Sequence, residues 1–262
     1  MSTTELSSPC RPIELLERRY LLAVFGPDVS FGIGGHVGVP GHYVVAPLGD
    51  GQLLVVGSRR VPVPGPDSMP NSLMIASRLN SDGTLDASFG DGGSVKFQEA
   101  FDGQSSDAKF SGSRLWVIVP PTGAVDVPEL RAYTPELVLD TSFSDDGRLE
   151  VPTGLDFDFP GDSASANILG VTEDGGVIVF ARIDDFKQGS SGLTERDELI
   201  KLRADGTLDP AFGDGGVVSD VFISGLRWTS HGLVRAGEAP SLERFLADGF
   251  TPDPSFGVAG VV

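Results

Sequence analysis

The sequence predicts an all-β protein built from repeated four-stranded units, and three observations predict it. A motif centred on phenylalanine occurs five times: Asp28-Val29-Ser30-Phe31-Gly32, Asp86-Ala87-Ser88-Phe89-Gly90, Asp140-Thr141-Ser142-Phe143-Ser144, Asp209-Pro210-Ala211-Phe212-Gly213 and Asp253-Pro254-Ser255-Phe256-Gly257. Recurrence every about 45–70 residues marks stacked or radially arranged supersecondary units. Between the copies lie short apolar runs, which suit strands and fall below the length of typical helices. Finally, 35 glycines and 19 prolines in 262 residues supply the turns that such a fold needs.

Each copy joins two apolar runs through a bend. An aspartate stands three residues before the phenylalanine (Asp28, Asp86, Asp140, Asp209, Asp253), where its carboxylate can accept backbone N–H groups two or three residues on. Four residues after the ring stands Gly35, Gly93, Gly147, Gly216 or Gly260, which admits positive φ. An apolar residue follows two places later, at Val37, Val95, Leu149, Val218 and Val262, and ten places before the ring stand Leu21, Leu79, Tyr133, Leu202 and Leu246. The rings of Phe31, Phe89, Phe143, Phe212 and Phe256 are expected to plug the contacts between neighbouring units.

Taken in order, Met1 to about residue 12 is polar and reads as a flexible tail, with one continuous domain over 13–262. Ile13–Phe25 is ambiguous: Ile13, Leu16, Tyr20 and Val24 share a helical face, yet alignment with the segments before the other rings makes a strand, which is the reading adopted. The first module then offers strands at His42–Leu48, Gln52–Gly57, Leu73–Leu79 and Ser94–Phe97. The second offers Asp107–Ser111, Leu115–Val119, Leu130–Tyr133 and Arg148–Val151. The third offers Asn167–Thr172, Val177–Ile183, Glu198–Leu202 and Val217–Phe222. The fourth offers Leu226–Thr229, Leu233–Ala236, Leu242–Leu246 and Val261-Val262. Tight turns such as Asp50-Gly51 and Asp174-Gly175-Gly176 join the first two runs of a module, a hairpin signal. Four meandering strands repeated radially make propeller blades, so the expectation is a β-propeller of about four to five four-stranded blades with one motif per blade. Ile13–Phe25 and His36–Val39 match the third and fourth strands of a further blade. They are expected to close the ring against Leu226–Val262 in a monomer; a half blade, or a dimer joined through these N-terminal strands, are the alternatives.

Leu79-Asn80-Ser81-Asp82-Gly83-Thr84-Leu85-Asp86-Ala87-Ser88-Phe89-Gly90-Asp91-Gly92-Gly93 resembles a delta-60 repeat, a bacterial domain of β-propeller type, and Leu202–Gly213 is similar to it as well. Copy three departs from the pattern, with Pro135-Glu136 for Asp-Gly and Ser144 for Gly, and copy five has Phe250-Thr251-Pro252 where Thr-Leu is expected. The resemblance implies a fold and no common reaction.

Composition excludes several functions. Nineteen basic against 37 acidic residues give a net charge of −18, which repels nucleic acid and anionic lipid. The single cysteine, Cys10, rules out an internal disulfide framework and an all-cysteine zinc site. No apolar run is long enough to span a membrane. No secretory signal is read in residues 1–12, which leaves the compartment open between the cytoplasm and export by a signal-free route. His36, His42 and His231 are scattered, no G-x-S-x-G elbow exists, and Gly32–Gly35 belongs to the repeated turn and opens no nucleotide-binding helix. Trp116 and Trp228 read as rings packed between blades.

Blade topology sorts the connections onto two faces. One carries the Asp-Gly turns and the phenylalanine motif. The other carries the long stretches Arg59–Ser72, Glu99–Ser106, Pro120–Glu129, Thr153–Ala166 and Asp184–Asp197. Such variable loops on a rigid scaffold are where ligands are usually held. The ligand-binding candidates are therefore Asp156, Asp158, Asp162, Asp184 and Asp185. The expected function is a non-catalytic module that binds a protein or glycan on the long-loop face, with no cofactor. Ca²⁺ on these oxygens is a secondary expectation, and a glycan-active hydrolase using a pair of loop carboxylates is the alternative.

Overall fold

The computed structural model describes residues 28–38, 43–61, 71–100, 107–111, 114–121, 127–154, 162–186, 193–221, 225–229, 232–236, 241–249 and 251–262. They form four antiparallel sheets in chain order. The first contains β1 (Tyr43–Pro47), β2 (Leu53–Val61), β3 (Asn71–Leu79) and β4 (Ser94–Ala100). The second contains β5 (Ala108–Ser111), β6 (Arg114–Val119), β7 (Glu129–Tyr133) and β8 (Arg148–Glu150). The third contains β9 (Ser163–Val171), β10 (Val177–Phe186), β11 (Leu193–Leu202) and β12 (Val217–Ser219). The fourth contains β13 (Arg227–Thr229), β14 (Gly232–Ala236) and β15 (Leu242–Arg244). Val261-Val262 takes the remaining edge of that sheet: the N–H of Leu242 donates to the Val262 carbonyl (2.8 Å) and the N–H of Val262 to the Leu242 carbonyl (2.9 Å). Every sheet is an up-and-down meander, as in a propeller blade.

Alternation along the strands gives each sheet two apolar faces. Leu54, Val56, Met74 and Ala76 of the first sheet pack on Leu115, Val117 and Tyr133 of the second. The opposite face of the second, through Trp116, Ile118 and Leu130, packs on Val177, Val179 and Ile200 of the third. Ile178, Phe180 and Leu199 then meet Leu226 and Leu233 of the fourth. The innermost strands touch in series, β1 with β5, β5 with β9, and β9 with β13. Such stacking of like units is the propeller arrangement.

The motif fastens one sheet to the next. After the third strand the chain makes two Asx-type turns. Thr84 N–H donates to the carboxylate of Asp82 (2.9 Å) and Ser88 N–H to that of Asp86 (2.9 Å). The residue after the ring then donates across the junction to the first of these turns in the following copy. Gly32 N–H bonds the Asp82 carbonyl (2.7 Å), Ser144 the Asp205 carbonyl (2.9 Å) and Gly213 the Asp248 carbonyl (3.0 Å). Phe89, Phe143 and Phe212 are buried at these junctions, while Phe31 and Phe256, in the outermost copies, are only partly so. The Phe212 ring lies where a Cβ on Gly249 would stand, 2.2 Å from it, so the turn of the next copy must be glycine there.

Several details differ from the sequence reading. The hairpins run further: β2–β3 reaches Val61 and Asn71, and β10–β11 reaches Phe186 and Leu193, so the stretches read as long loops are shorter. In copy three the Asp-Gly pair is replaced by Glu136-Leu137, one residue later than the sequence suggested, because Leu139 pairs with Tyr133 as Leu85 does with Leu79. Leu137 holds φ +63 there, with its side chain buried beside Phe89. In copy five Phe245, not Leu246, pairs with Pro252, one residue further apart than the corresponding pairs of the other copies. His36 forms a single bridge with Ile33 and no strand. Residues 28–38 sit on the first sheet through Gly32, and the edge of the last sheet is taken by Val261-Val262. The expected closure by Ile13–Phe25 lies outside the described residues.

Candidate functional site

At the motif face the polar groups are used in holding the scaffold together. Each motif aspartate accepts the N–H two residues on, at 3.0 Å for Asp28, 2.9 Å for Asp86, 3.0 Å for Asp140, 3.2 Å for Asp209 and 2.9 Å for Asp253. Four of them are also held by a cation. Arg78 meets Asp86 (2.7 Å), Lys201 meets Asp209 (2.7 Å) and Arg244 meets Asp253 (2.7 Å), each from the last turns of the third strand. In copy three that position is Ala132, and Arg114 at the start of β6 supplies the charge instead, 2.6 Å from Asp140. The exchange follows from packing. Trp116 fills the space beside Ala132, edge-on to Phe143 at 4.9 Å, and Arg114 stacks over its ring at 5.0 Å. The sequence carries a signal for these cations, a basic residue eight or nine places before the aspartate, but it is interrupted at Ala132.

The hydrogen bonds hold the carboxylates ionised. The Ser88 hydroxyl, then its N–H, lowers the pKa of Asp86 to about 2. Asp28, Asp82, Asp205 and Asp253 are lowered in the same way by Ser30, Thr84, Thr207 and Ser255. For Asp209 the Lys201 ammonium is the leading cause.

The opposite end of the third sheet is the candidate binding edge. Period-two alternation divides its charged residues between the two faces of the β10–β11 hairpin. On the side that packs against the second sheet, Arg196 donates to Glu198 (2.9 Å) and to the Thr153 carbonyl (2.7 Å), with Asp185 at 3.8 Å. On the other side Arg182 makes a two-pronged pair with Asp197, 2.8 Å for each contact. Asp197 raises the Arg182 pKa above the usual arginine value, and Glu195 and Asp184 add to this. Asp184 lies directly across from Glu195 and accepts a bond from the Ser163 hydroxyl at 3.2 Å.

Of the predicted ligand residues, Asp184 and Asp185 are therefore strand residues that face opposite sides of one blade, not neighbours in a loop. Asp162 is buried at the entry to β9, 4% exposed. Asp156 and Asp158 lie outside the described residues. Among the described residues no group of three His, Cys, Asp or Glu side chains is placed to hold a metal ion. The sequence reading missed Arg182 and Arg196, which organise the carboxylates around them. Cross-strand pairing is invisible until the register of the hairpin is known. Trp116 and Trp228 lie between sheets, Trp228 over Gly170 of β9. No helix among the described residues is long and apolar enough to cross a membrane.

A family model described as "Domain of unknown function (DUF5122) beta-propeller" matches residues 75–89, the end of β3 and the turn that follows it. The chain thus resembles a β-propeller-type repeat family at the segment that repeats through it. No curated protein matches the chain.

Proposed function

We propose that this protein is a non-catalytic binding or interaction module whose ligand docks on the long-loop end of the blades, centred on the β10–β11 hairpin. The observation that carries this reading is the division of labour between the two faces. The polar side chains of the repeat are engaged in turns and cross-blade bonds. The far end of the third sheet presents Asp184, Glu195 and Asp197 on one side and Asp185 on the other, with Asp197 paired to Arg182, Asp184 bonded by Ser163 and Asp185 beside Arg196. A rigid acidic edge suits a partner with basic or hydroxyl-rich groups, which favours a basic protein surface and admits a glycan. The divergence of Asp184 and Asp185 argues against their acting as the paired carboxylates of a glycoside hydrolase, whose chemistry needs both to converge on one bond.

The test is a binding screen of the purified protein against a panel of lysine- and arginine-rich peptides and an array of neutral oligosaccharides, each with and without Ca²⁺. Asp184→Asn with Glu195→Gln should weaken the peptide signal at least tenfold while the melting temperature holds. Binding unaffected by these changes, or cleavage of an oligosaccharide, overturns the reading.

A further inference from the structure

The first sheet carries a groove of about 650 Å³ on the face turned away from the second sheet. Its walls include Val55, Ile75, Leu79 and Leu85, with Val37 from the first copy of the motif. In the later sheets the same face is an interface: Leu115, Val117 and Tyr133 pack on the first sheet, and Val177, Val179 and Leu202 on the second. On the first sheet Val45 is 54% exposed and Leu85 49%. This face is built for a preceding blade.

The first motif stands where that blade would end. Gly32 bonds to Asp82 as Ser144 does to Asp205 and Gly213 to Asp248, and Gly35 N–H closes on the Phe31 carbonyl as Gly93 does on Phe89. In all four later copies the tail of the motif pairs with the third strand at one register. Arg78 N–H bonds the Gly93 carbonyl (3.0 Å), Ala132 that of Gly147 (2.9 Å), Lys201 that of Gly216 (2.9 Å) and Arg244 that of Gly260 (2.9 Å). Residues 19–37 align without a gap on residues 244–262, sharing Arg19/Arg244, Phe25/Phe250 and Pro27/Pro252 as well as the motif itself. Arg19 thereby falls nine residues before Asp28, as Arg244 falls nine before its ion-pair partner Asp253. Among the described residues Asp28 has only Ser30 around it, accepting its N–H (3.0 Å) and hydroxyl (2.6 Å), where the other four motif aspartates have a cation as well.

We propose that the occupant of this groove is the chain's own segment Leu15–Leu21, docked as the third strand of an additional blade. It pairs with Gly35–Val37 and places Arg19 against Asp28. The site is thus an intramolecular docking surface, and the register is fixed by analogy with the fourth sheet.

Two measurements on the full chain test it. Glu17 and Val37 correspond to Leu242 and Val262, a doubly hydrogen-bonded pair, whose Cα atoms lie about 5.5 Å apart, within disulfide range. Glu17→Cys with Val37→Cys, made in a Cys10→Ser background and oxidised mildly, should give a folded monomer with an intrachain disulfide by peptide mapping. A disulfide-linked dimer would put a second copy's segment in the groove and overturn the proposal, and so would free thiols in a folded protein. If that pair does not fold, charge exchange decides. Arg19→Asp should lower the melting temperature by about 2–4 °C, and adding Asp28→Arg should restore it. No restoration overturns the assignment.

Discussion

Phe143 shows how much one ring does. It is fully buried, meets Trp116 edge to face, and abuts the glycine of the following turn. Phe143→Ala should therefore cost about 3–5 kcal/mol in a denaturant titration. A loss under about 1 kcal/mol would show that the ring is not wedged between sheets. The residue after the ring is glycine in four copies for a steric reason: a Cβ on Gly213 would stand 2.0 Å from the Val217 carbonyl oxygen. Copy three escapes this because its turn is different. Asp146 N–H bonds back to the Ser144 carbonyl, and Ser144 sits at φ +50. Gly213→Ala should destabilise by about 2 kcal/mol or more, from left-handed strain plus the clash, while Ser144→Ala should be nearly neutral. Equal losses in the two variants would contradict this account.

At the scale of strands and turns, the sequence carried most of the architecture. Among the described residues fifteen strands and the terminal pair fall on the short apolar runs, because period-two burial and Asp-Gly turns leave a local signature. It carried much less of the candidate site. The hairpin extensions open on the charged pairs Arg59-Arg60 and Asp184-Asp185, which end the apolar runs, so nothing local marks them as strands until their partners are known. The offset at Phe245 was hidden for a related reason, since ungapped counting back from the ring cannot see an insertion; in copy three nothing is inserted, and Leu137 stands six places before Phe143 as Gly83 does before Phe89. Arg114 illustrates a dependence that only the assembled sheet reveals. It bonds Asp140, Ser142 and the Ala204 carbonyl of the next blade, at 2.8, 2.9 and 2.6 Å. Arg114→Ala should cost about 1.5–3 kcal/mol, more than Arg182→Ala, whose side chain is 48% exposed. Urea midpoints for the two variants at equal m-value check the order, and the reverse order would count against the copy-three exchange.

For the whole molecule, the repeated carboxylates couple stability to pH. Their folded-state pKa values are depressed, to about 2 for Asp86, below an unfolded value of about 3.9. The stabilisation they give is therefore complete above the unfolded value and is lost as pH falls through the folded ones. Acidification also relieves the self-repulsion of a chain with net charge −18, yet the turn carboxylates recur in every blade. Urea midpoints should hold steady from pH 7 to about 5 and fall steeply between about pH 4 and 2; a midpoint that rises in that window would mean repulsion dominates. At the junctions after Phe31, Phe143 and Phe212 the motif rivets one unit to the next. Hydrogen exchange by NMR tests it most directly, at the amides of Gly32, Ser144 and Gly213, which lie in turns yet donate across a junction. The account predicts that all three exchange as slowly as the central strand amides Val117 and Val179. Exchange at loop rates while those strands stay protected would contradict it.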